Sequence, residues 1–348
     1  ATTKLDSDAL NEMLPWLQDE YGNASQPYTF ARKPRKALSE ARTTIASCIG
    51  AQPEEIYFTS GGTESDNWAI KGMPRYDDRR ATITSQIEHH AILHACESIE
   101  RLGYPVAYLP VDNEGIVSPD MLSSFITDET RLVSVMLVNN EIGTIEPISE
   151  LAKVAHSHGA VFHTDAVQAV GHVKIDVQDM NIDFLSLSGH KLGAPKGIGA
   201  LYIRKGCKIK NLIHGGQQER GRRAGTENVI GIVALGKAIE LAVNEMEETT
   251  AKLTYLRDKI IDNVLNNVEY SRLNGHRTDR LPGNVNISFE FIEGESMLLL
   301  LDANGICASS GSACTSGSLD PSHVLLSIGL PHEKAHGSLR ISLGYQNT

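Results

Sequence analysis

Three segments of this chain carry residues whose types and spacing could do chemistry. Asp183-Phe184-Leu185-Ser186-Leu187-Ser188-Gly189-His190-Lys191 reads as an alternating apolar strand that stops in a small, polar turn with one lysine. A lysine held at the mouth of a strand condenses with an aldehyde once partial burial lowers its pKa, and pyridoxal phosphate (PLP) is the usual aldehyde. PLP needs a carboxylate on its pyridinium nitrogen, to act as an electron sink, and donors for its phosphate. Asp165, in Ala160-Val161-Phe162-His163-Thr164-Asp165-Ala166-Val167-Gln168, offers the carboxylate one strand earlier. An isolated aspartate there would be read as a helix cap, and its pairing with Ser-Gly-His-Lys favours the chemical role. Ser60-Gly61-Gly62-Thr63-Glu64-Ser65 offers the donors, because small residues let backbone N–H groups approach a dianion at a helix N-terminus. Glycine pairs also make turns that bind nothing, so the place of this one between a strand and a helix carries the weight.

The elements that must position these residues alternate along the chain. Strand signals at 56–59, 81–84, 132–138, 161–164, 184–187 and 200–203 are interleaved with helical periodicity at 37–49, 91–102, 148–158 and 229–243. That order predicts an α/β fold, a mostly parallel sheet covered by helices, with ligands just beyond the strand ends. Near Met246 the pattern changes to a long charged helix over 250–268, then a strand at 284–289, a helix from Glu295 and a strand at 337–343. The expected division is a large domain over 13–247 and a smaller α+β domain from 1–12 and 248–348.

Six motifs then point to a family. Ser60-Gly61-Gly62-Thr63-Glu64-Ser65, Glu88-His89, Asn139-Asn140-Glu141-Ile142-Gly143, Asp165-Ala166-Val167-Gln168, Ser188-Gly189-His190-Lys191 and Arg223-Ala224-Gly225-Thr226 follow the order and approximate spacing of class V aminotransferase-fold PLP enzymes. Within that group the chain resembles the cysteine desulfurases of the NifS/IscS type. The deciding segment, Ser309-Ser310-Gly311-Ser312-Ala313-Cys314-Thr315-Ser316-Gly317-Ser318, resembles their active-site cysteine loop.

The resemblance covers nearly the whole chain and implies a homodimeric fold-type I PLP-dependent transferase. It would convert L-cysteine to L-alanine, with a persulfide on Cys314 for delivery to a sulfur-acceptor protein such as an iron–sulfur scaffold or a tRNA-thiolation relay. It implies Lys191 as the Schiff-base lysine and α-proton carrier, Asp165 on the ring nitrogen, and His89 on the pyridine face, assisting proton transfer. Gln168 would meet the 3′-oxygen, and Asn140 that oxygen and the substrate carboxylate. Gly62, Thr63, Ser188 and His190 would hold the phosphate, with Thr226 from the other subunit, while Arg340 would clamp the substrate carboxylate. Alternatives on the same scaffold are selenocysteine lyase, another class V activity, or a PLP-retaining scaffold subunit of a sulfur-transfer complex. Relative to the family, a short first strand and a last helix are expected to be missing. Tyr28, in Gly22-Asn23-Ala24-Ser25-Gln26-Pro27-Tyr28, stands where the family pattern has histidine, so that histidine's role does not transfer.

Composition narrows the classes further. A net charge of −11 over 348 residues argues against direct nucleic-acid binding, and the Arg220, Arg222 and Arg223 cluster is expected beside a phosphate. Cysteines at 48, 96, 207, 307 and 314 have neither disulfide nor zinc spacing, and no metal is expected. Reduced thiols and a cytoplasmic location are the natural expectation, with no membrane span. Cys48, Cys96 and Cys307 sit in apolar contexts and are expected to be packing residues. Cys314 lies among small polar residues unsuited to a core, and Cys207, flanked by cations, is the rival reactive thiol.

Overall fold

The computed structural model describes residues 1–73, 79–310 and 321–348. The sheet strands are short apolar runs, and the central ones, such as Phe184-Leu185-Ser186-Leu187-Ser188, are buried along their length, as strands covered on both faces require. Seven of them form one sheet: β1 (Ile56–Thr59), β2 (Ala81–Ser85), β3 (Val106–Leu109), β4 (Thr130–Ser134), β5 (Val161–Asp165), β6 (Phe184–Ser188) and β7 (Gly199–Ile203). The spatial order is β1-β7-β6-β5-β4-β2-β3. Strands β3, β2, β4, β5 and β6 run parallel, and β7 is antiparallel to both β6 and β1. The parallel strands deliver their C-terminal residues, Asp165 and Ser188 among them, to one edge of the sheet, where such folds bind ligands.

The covering helices are α1 (Ser7–Gln18), α2 (Arg32–Cys48), α3 (Gly62–Gly72), α4 (His90–Glu100), α5 (Pro119–Phe125), α6 (Ile148–Ser157) and α7 (Val229–Asn244). Then α8 (Met246–Asn267) leads into a second, antiparallel sheet of β8 (Ser271–Leu273), β9 (Asn284–Phe289) and β10 (Ser338–Ser342), in the order β10-β9-β8. Val285 and Ile287 of β9 pack on Ile261 of α8 in a small core of their own. Helices α9 (Gly294–Ala303), α10 (His323–Ser327) and α11 (His332–His336) complete this part. Among the described residues no helix is long and apolar enough to cross a membrane.

Three details differ from the sequence expectation. Strand β3, bracketed by Pro105 and Pro110, was hidden by those prolines, and it pairs only with β2 at the sheet edge, where proline is tolerated. The strand expected over 132–138 leaves the sheet after Ser134. It continues through Val135 N–H to His163 O and Leu137 N–H to Asp165 O, which carries the chain to Asn139 and Asn140. The first residues, grouped by sequence with the C-terminal part, lie on the main core: Ala9 is fully buried there, Leu5 packs beside it, and α1 runs against α7.

One buried ion pair fastens β1 to the segment after β7. Arg42 forks onto Glu219 at 2.7 and 2.8 Å, and Glu219 also accepts Phe58 N–H at 2.9 Å. Replacing Glu219 by alanine leaves the partly buried Arg42 and that buried N–H without an anion, a loss of about 1–3 kcal/mol on the scale of unsatisfied buried donors. Urea unfolding of Glu219→Ala against wild type measures it.

Candidate active site

The turn after β1 is shaped by glycine. Gly61 has φ 150°, and a Cβ on Gly62 would stand 2.6 Å from Val167 Cγ2. On the other side, a Cβ on Gly199 would reach 2.7 Å from Gly61 Cα, so turn and β7 backbone are in direct contact. Ser60 N–H donates to Glu64 Oε2 at 2.8 Å, and Thr59 and Ser65 hydroxyls meet at 2.8 Å, which holds the turn open over the N-terminus of α3. Gly62→Val is expected to cut PLP retention about tenfold or more, since overpacking of this kind costs about 1–3 kcal/mol. Equilibrium dialysis of the cofactor checks it.

Lys191 lies in the single turn Gly189–Lys191 that follows β6, and Asp165 ends the neighbouring β5. Both line one cavity of about 710 Å³, together with Gly62, Thr63, His89, Asn140, Gln168, Ser188, His190 and Arg340. Burial pushes the Asp165 carboxyl up to about 6, while the Val167 N–H at 2.9 Å and the Lys191 charge pull the other way. His89 caps α4 by accepting Ala91 N–H on Nδ1 at 3.1 Å, which leaves the proton of the neutral ring on Nε2. Burial, then Lys191, lowers its pKa, so the ring is neutral at physiological pH. The His190 ring is pushed down to about 4 by burial and the adjacent Lys191.

Asn140 is placed by its neighbour. Asn139 accepts the N–H groups of Glu141 and Ile142 on its side-chain oxygen and donates to Ile87 O, fixing the turn. Arg340, from β10 of the second sheet, donates to Asn140 O at 3.1 Å, so both sheets contribute to the cavity.

Two expected site residues are not brought together with these. Thr226 is exposed and off the cavity wall of its own chain. Cys314 lies outside the described residues, but Ser309 and His323, on either side of its segment, both line the cavity. Ser309 pairs through its backbone with Arg340, and Ser322 donates to the buried carboxylate of Glu141.

Other thiols and cations are corrected by the structure. Cys307, expected in a core, is exposed. Cys207 has Asp183 Oδ1 3.7 Å from its sulfur, and burial with that carboxylate pushes it up to about 12, the reverse of what its lysine and arginine neighbours suggested. The arginines expected beside a phosphate are taken by protein groups: Arg223 forks onto Glu64 at 2.8 and 3.0 Å, Arg220 donates to Glu54 O and Ile56 O, and Arg220 and Arg222 lie over the Tyr57 ring. Tyr28 is exposed and does not reach the cavity.

Sequence reasoning gave no role to Glu88 and Glu141, though both stand in its motifs, and missed Asp66 and His323; all four are on the cavity wall. Asp66 left a signal, since it shares a buried face of α3 with Ala69 and Ile70, where a lone aspartate is out of place. The donor set suits PLP: a buried carboxylate, a lysine one strand away, and a glycine turn at a helix N-terminus, around a space large enough for it.

The model of the aminotransferase class-V family matches residues 1–348. This chain belongs to the aminotransferase class-V family. It is 57% identical over 350 residues to "Cysteine desulfurase IscS" of Methanosarcina thermophila, spanning all of this chain and 86% of that protein. Among solved structures it resembles "NIFS-LIKE PROTEIN" with a TM-score of 0.94 at 36% identity, covering 100% of this chain and 93% of the other. It also resembles "SspA in complex with cysteine", with a TM-score of 0.87 at 39% identity, covering 98% and 96%. As a class-V aminotransferase relative with this donor set, it is a PLP-dependent, fold-type I protein.

Proposed function

We propose that this class-V aminotransferase is a cysteine desulfurase that converts L-cysteine to L-alanine and takes the sulfur on Cys314. Lys191, Asp165 and His89 share one cavity, and the two ends of the segment that carries Cys314 stand on its wall; that juxtaposition carries the reading. Cys314 is five residues from Ser309 (314 − 309 = 5), which bounds its reach to roughly 18 Å of that wall. Relatives named cysteine desulfurase, 50–57% identical over essentially the full chain, support the same activity.

Bound PLP supplies an electron sink for charge at the substrate α-carbon. Arg340 and Asn140 hold the substrate carboxylate, and Lys191 moves the α-proton. Asp165 would hold the proton on the nitrogen of bound PLP, and neutral His89 would pack against the cofactor. The Cys314 thiolate attacks the substrate sulfur, so that an S–S bond forms as the Cβ–S bond breaks and the carbon skeleton leaves as alanine. Sulfide release from L-cysteine with a reductant, with mass spectrometry of the persulfide after turnover without one, tests the reading. No sulfide, or a persulfide on a cysteine other than Cys314, sinks it.

The same reading assigns a sulfur-acceptor protein, such as an iron–sulfur scaffold, as partner, and the reducing cytoplasm as location. It divides the chain near residue 247 into a large PLP-binding part and a smaller part bearing Arg340 and Cys314. It also makes the protein a homodimer in which the exposed Thr226 completes the partner's phosphate site. Thr226→Ala is expected to weaken PLP retention without altering the dimer. Cofactor titration with mass photometry checks this, and a monomer with full cofactor affinity contradicts it.

A further inference from the structure

Behind Asp165 lies a set of side chains that the reaction above does not use. Ser134 Oγ is 2.8 Å from His163 Nδ1, and His163 Nε2 is 3.0 Å from Ser186 Oγ. Ser186, which pairs with Asp165 across β5 and β6, also acts on Asp66 of α3, favouring its anion. All four side chains are buried, Asp66 with 1% exposure. Asp66 lines the cavity, and its Oδ1 has no hydrogen-bond partner among the described residues.

An ionised Asp66 would need a cation here, and among the described residues none is paired with it. His163 Nε2 is 3.8 Å from Asp66 Oδ1, but both ring nitrogens already face serine hydroxyls, and burial pushes the imidazole down to about 3. The other titratable groups acting on Asp66 are Asp165 on β5 and Glu88 after β2, both carboxyls. Lys191 acts on Asp165. On its remaining sides α3 meets Tyr57 of β1, Leu201 of β7, and Ile92 and Cys96 of α4, whose thiol burial raises. Two carboxylates in one dry site do not both ionise. Burial and then Asp165 raise Asp66 well above the usual carboxylate range, whereas Asp165 stops at about 6 because Val167 N–H and Lys191 favour its anion.

We infer that Asp66 is the neutral member of a two-carboxyl pair in the cavity floor, a positioning residue that leaves Asp165 as the sole anion facing the ring nitrogen. Asp66 has this part only on the role proposed above for Asp165. The pair then carries one negative charge, which one pyridinium proton balances. A second ionised carboxyl would be a buried charge with nothing against it.

Infrared spectroscopy of the full chain, with PLP and after its removal, reads the pair directly. The wild-type minus Asp66→Asn difference at pH 7 is expected to show the carbonyl stretch of a protonated carboxylic acid, shifted in D₂O. In an Asp165→Asn background, the pH at which that band disappears is expected to fall by about one unit or more, because the neighbouring anion is gone. Thermal melts of the PLP-free protein give a second reading. Asp66 holds its proton more tightly folded than unfolded, so wild type loses stability as pH rises above the unfolded value of about 4. Asp66→Asn lacks that loss, and its Tm advantage should widen from pH 5 to pH 8. A wild type without the band at pH 7, or a midpoint unmoved by Asp165→Asn, overturns the inference. If Asp66→Asn fails to fold, ¹³C-carboxyl aspartate NMR of wild type and Asp165→Asn reads the same two quantities. The PLP-free arm needs neither cofactor nor turnover, so it stands or falls apart from the desulfurase reading.

Discussion

Cys314→Ser is expected to keep binding L-cysteine and PLP while alanine formation from L-cysteine falls by several orders of magnitude. The α-carbon chemistry belongs to Lys191, Asp165 and the cofactor, and Lys191 and Asp165 line one cavity. A serine hydroxyl is almost wholly protonated at neutral pH and is a poor nucleophile toward sulfur, whereas a thiol is already partly ionised. Losing a covalent nucleophile costs up to about 10⁶-fold. The other described cysteines do not substitute: Cys96 is buried, Cys48 and Cys207 are pushed up to about 11 and 12, and the exposed Cys307 does not line the cavity. The measurement is alanine production with L-cysteine and, as a control, L-selenocysteine, whose weaker carbon–selenium bond breaks more readily. Near wild-type alanine from L-cysteine would remove Cys314 from the mechanism and favour a selenocysteine-lyase activity.

Lys191→Ala is expected to abolish both turnover and the covalent attachment of PLP. Lys191 lies in the turn directly after β6, beside the strand that ends in Asp165, and among the described residues the other lysine on the cavity wall is not so placed. Lys196, which also lines the cavity, is five residues further on, between the turn and β7. Removing a positioned proton carrier alone costs about 10²–10⁴-fold. Loss of the covalent link adds to that. Borohydride treatment followed by peptide mapping should find PLP on Lys191 in wild type and on no lysine in the variant. A labelled Lys196 in wild type would move the assignment.

Much of this site could be read from the chain because it sits at strand ends. Asp165, Ser188 and Lys191 follow apolar runs whose length and punctuation mark β5 and β6, and Gly61-Gly62 marks a turn in which a Cβ on Gly62 would crowd Val167. What stayed hidden depends on contacts distant in sequence. Asp66 is 99 residues from Asp165 (165 − 66 = 99), and only the packing of α3 on β5 and β6 makes them neighbours. The arginines misled for the same reason: a cluster of cations in sequence says nothing about the carboxylate and carbonyl groups that the fold supplies to it. Strand β3 was lost to its flanking prolines, which end a central strand but suit an edge.

The fork between Arg223 and Glu64 joins the glycine turn to the stretch that ends in exposed Thr226. A ligand that fixes the turn therefore also raises the free energy needed to peel that stretch away, by RT ln(1 + [L]/Kd) for a ligand bound only to the closed form. PLP-free protein is therefore expected to be nicked around residues 217–226 faster than loaded protein in limited proteolysis, and equal cleavage rates would contradict it.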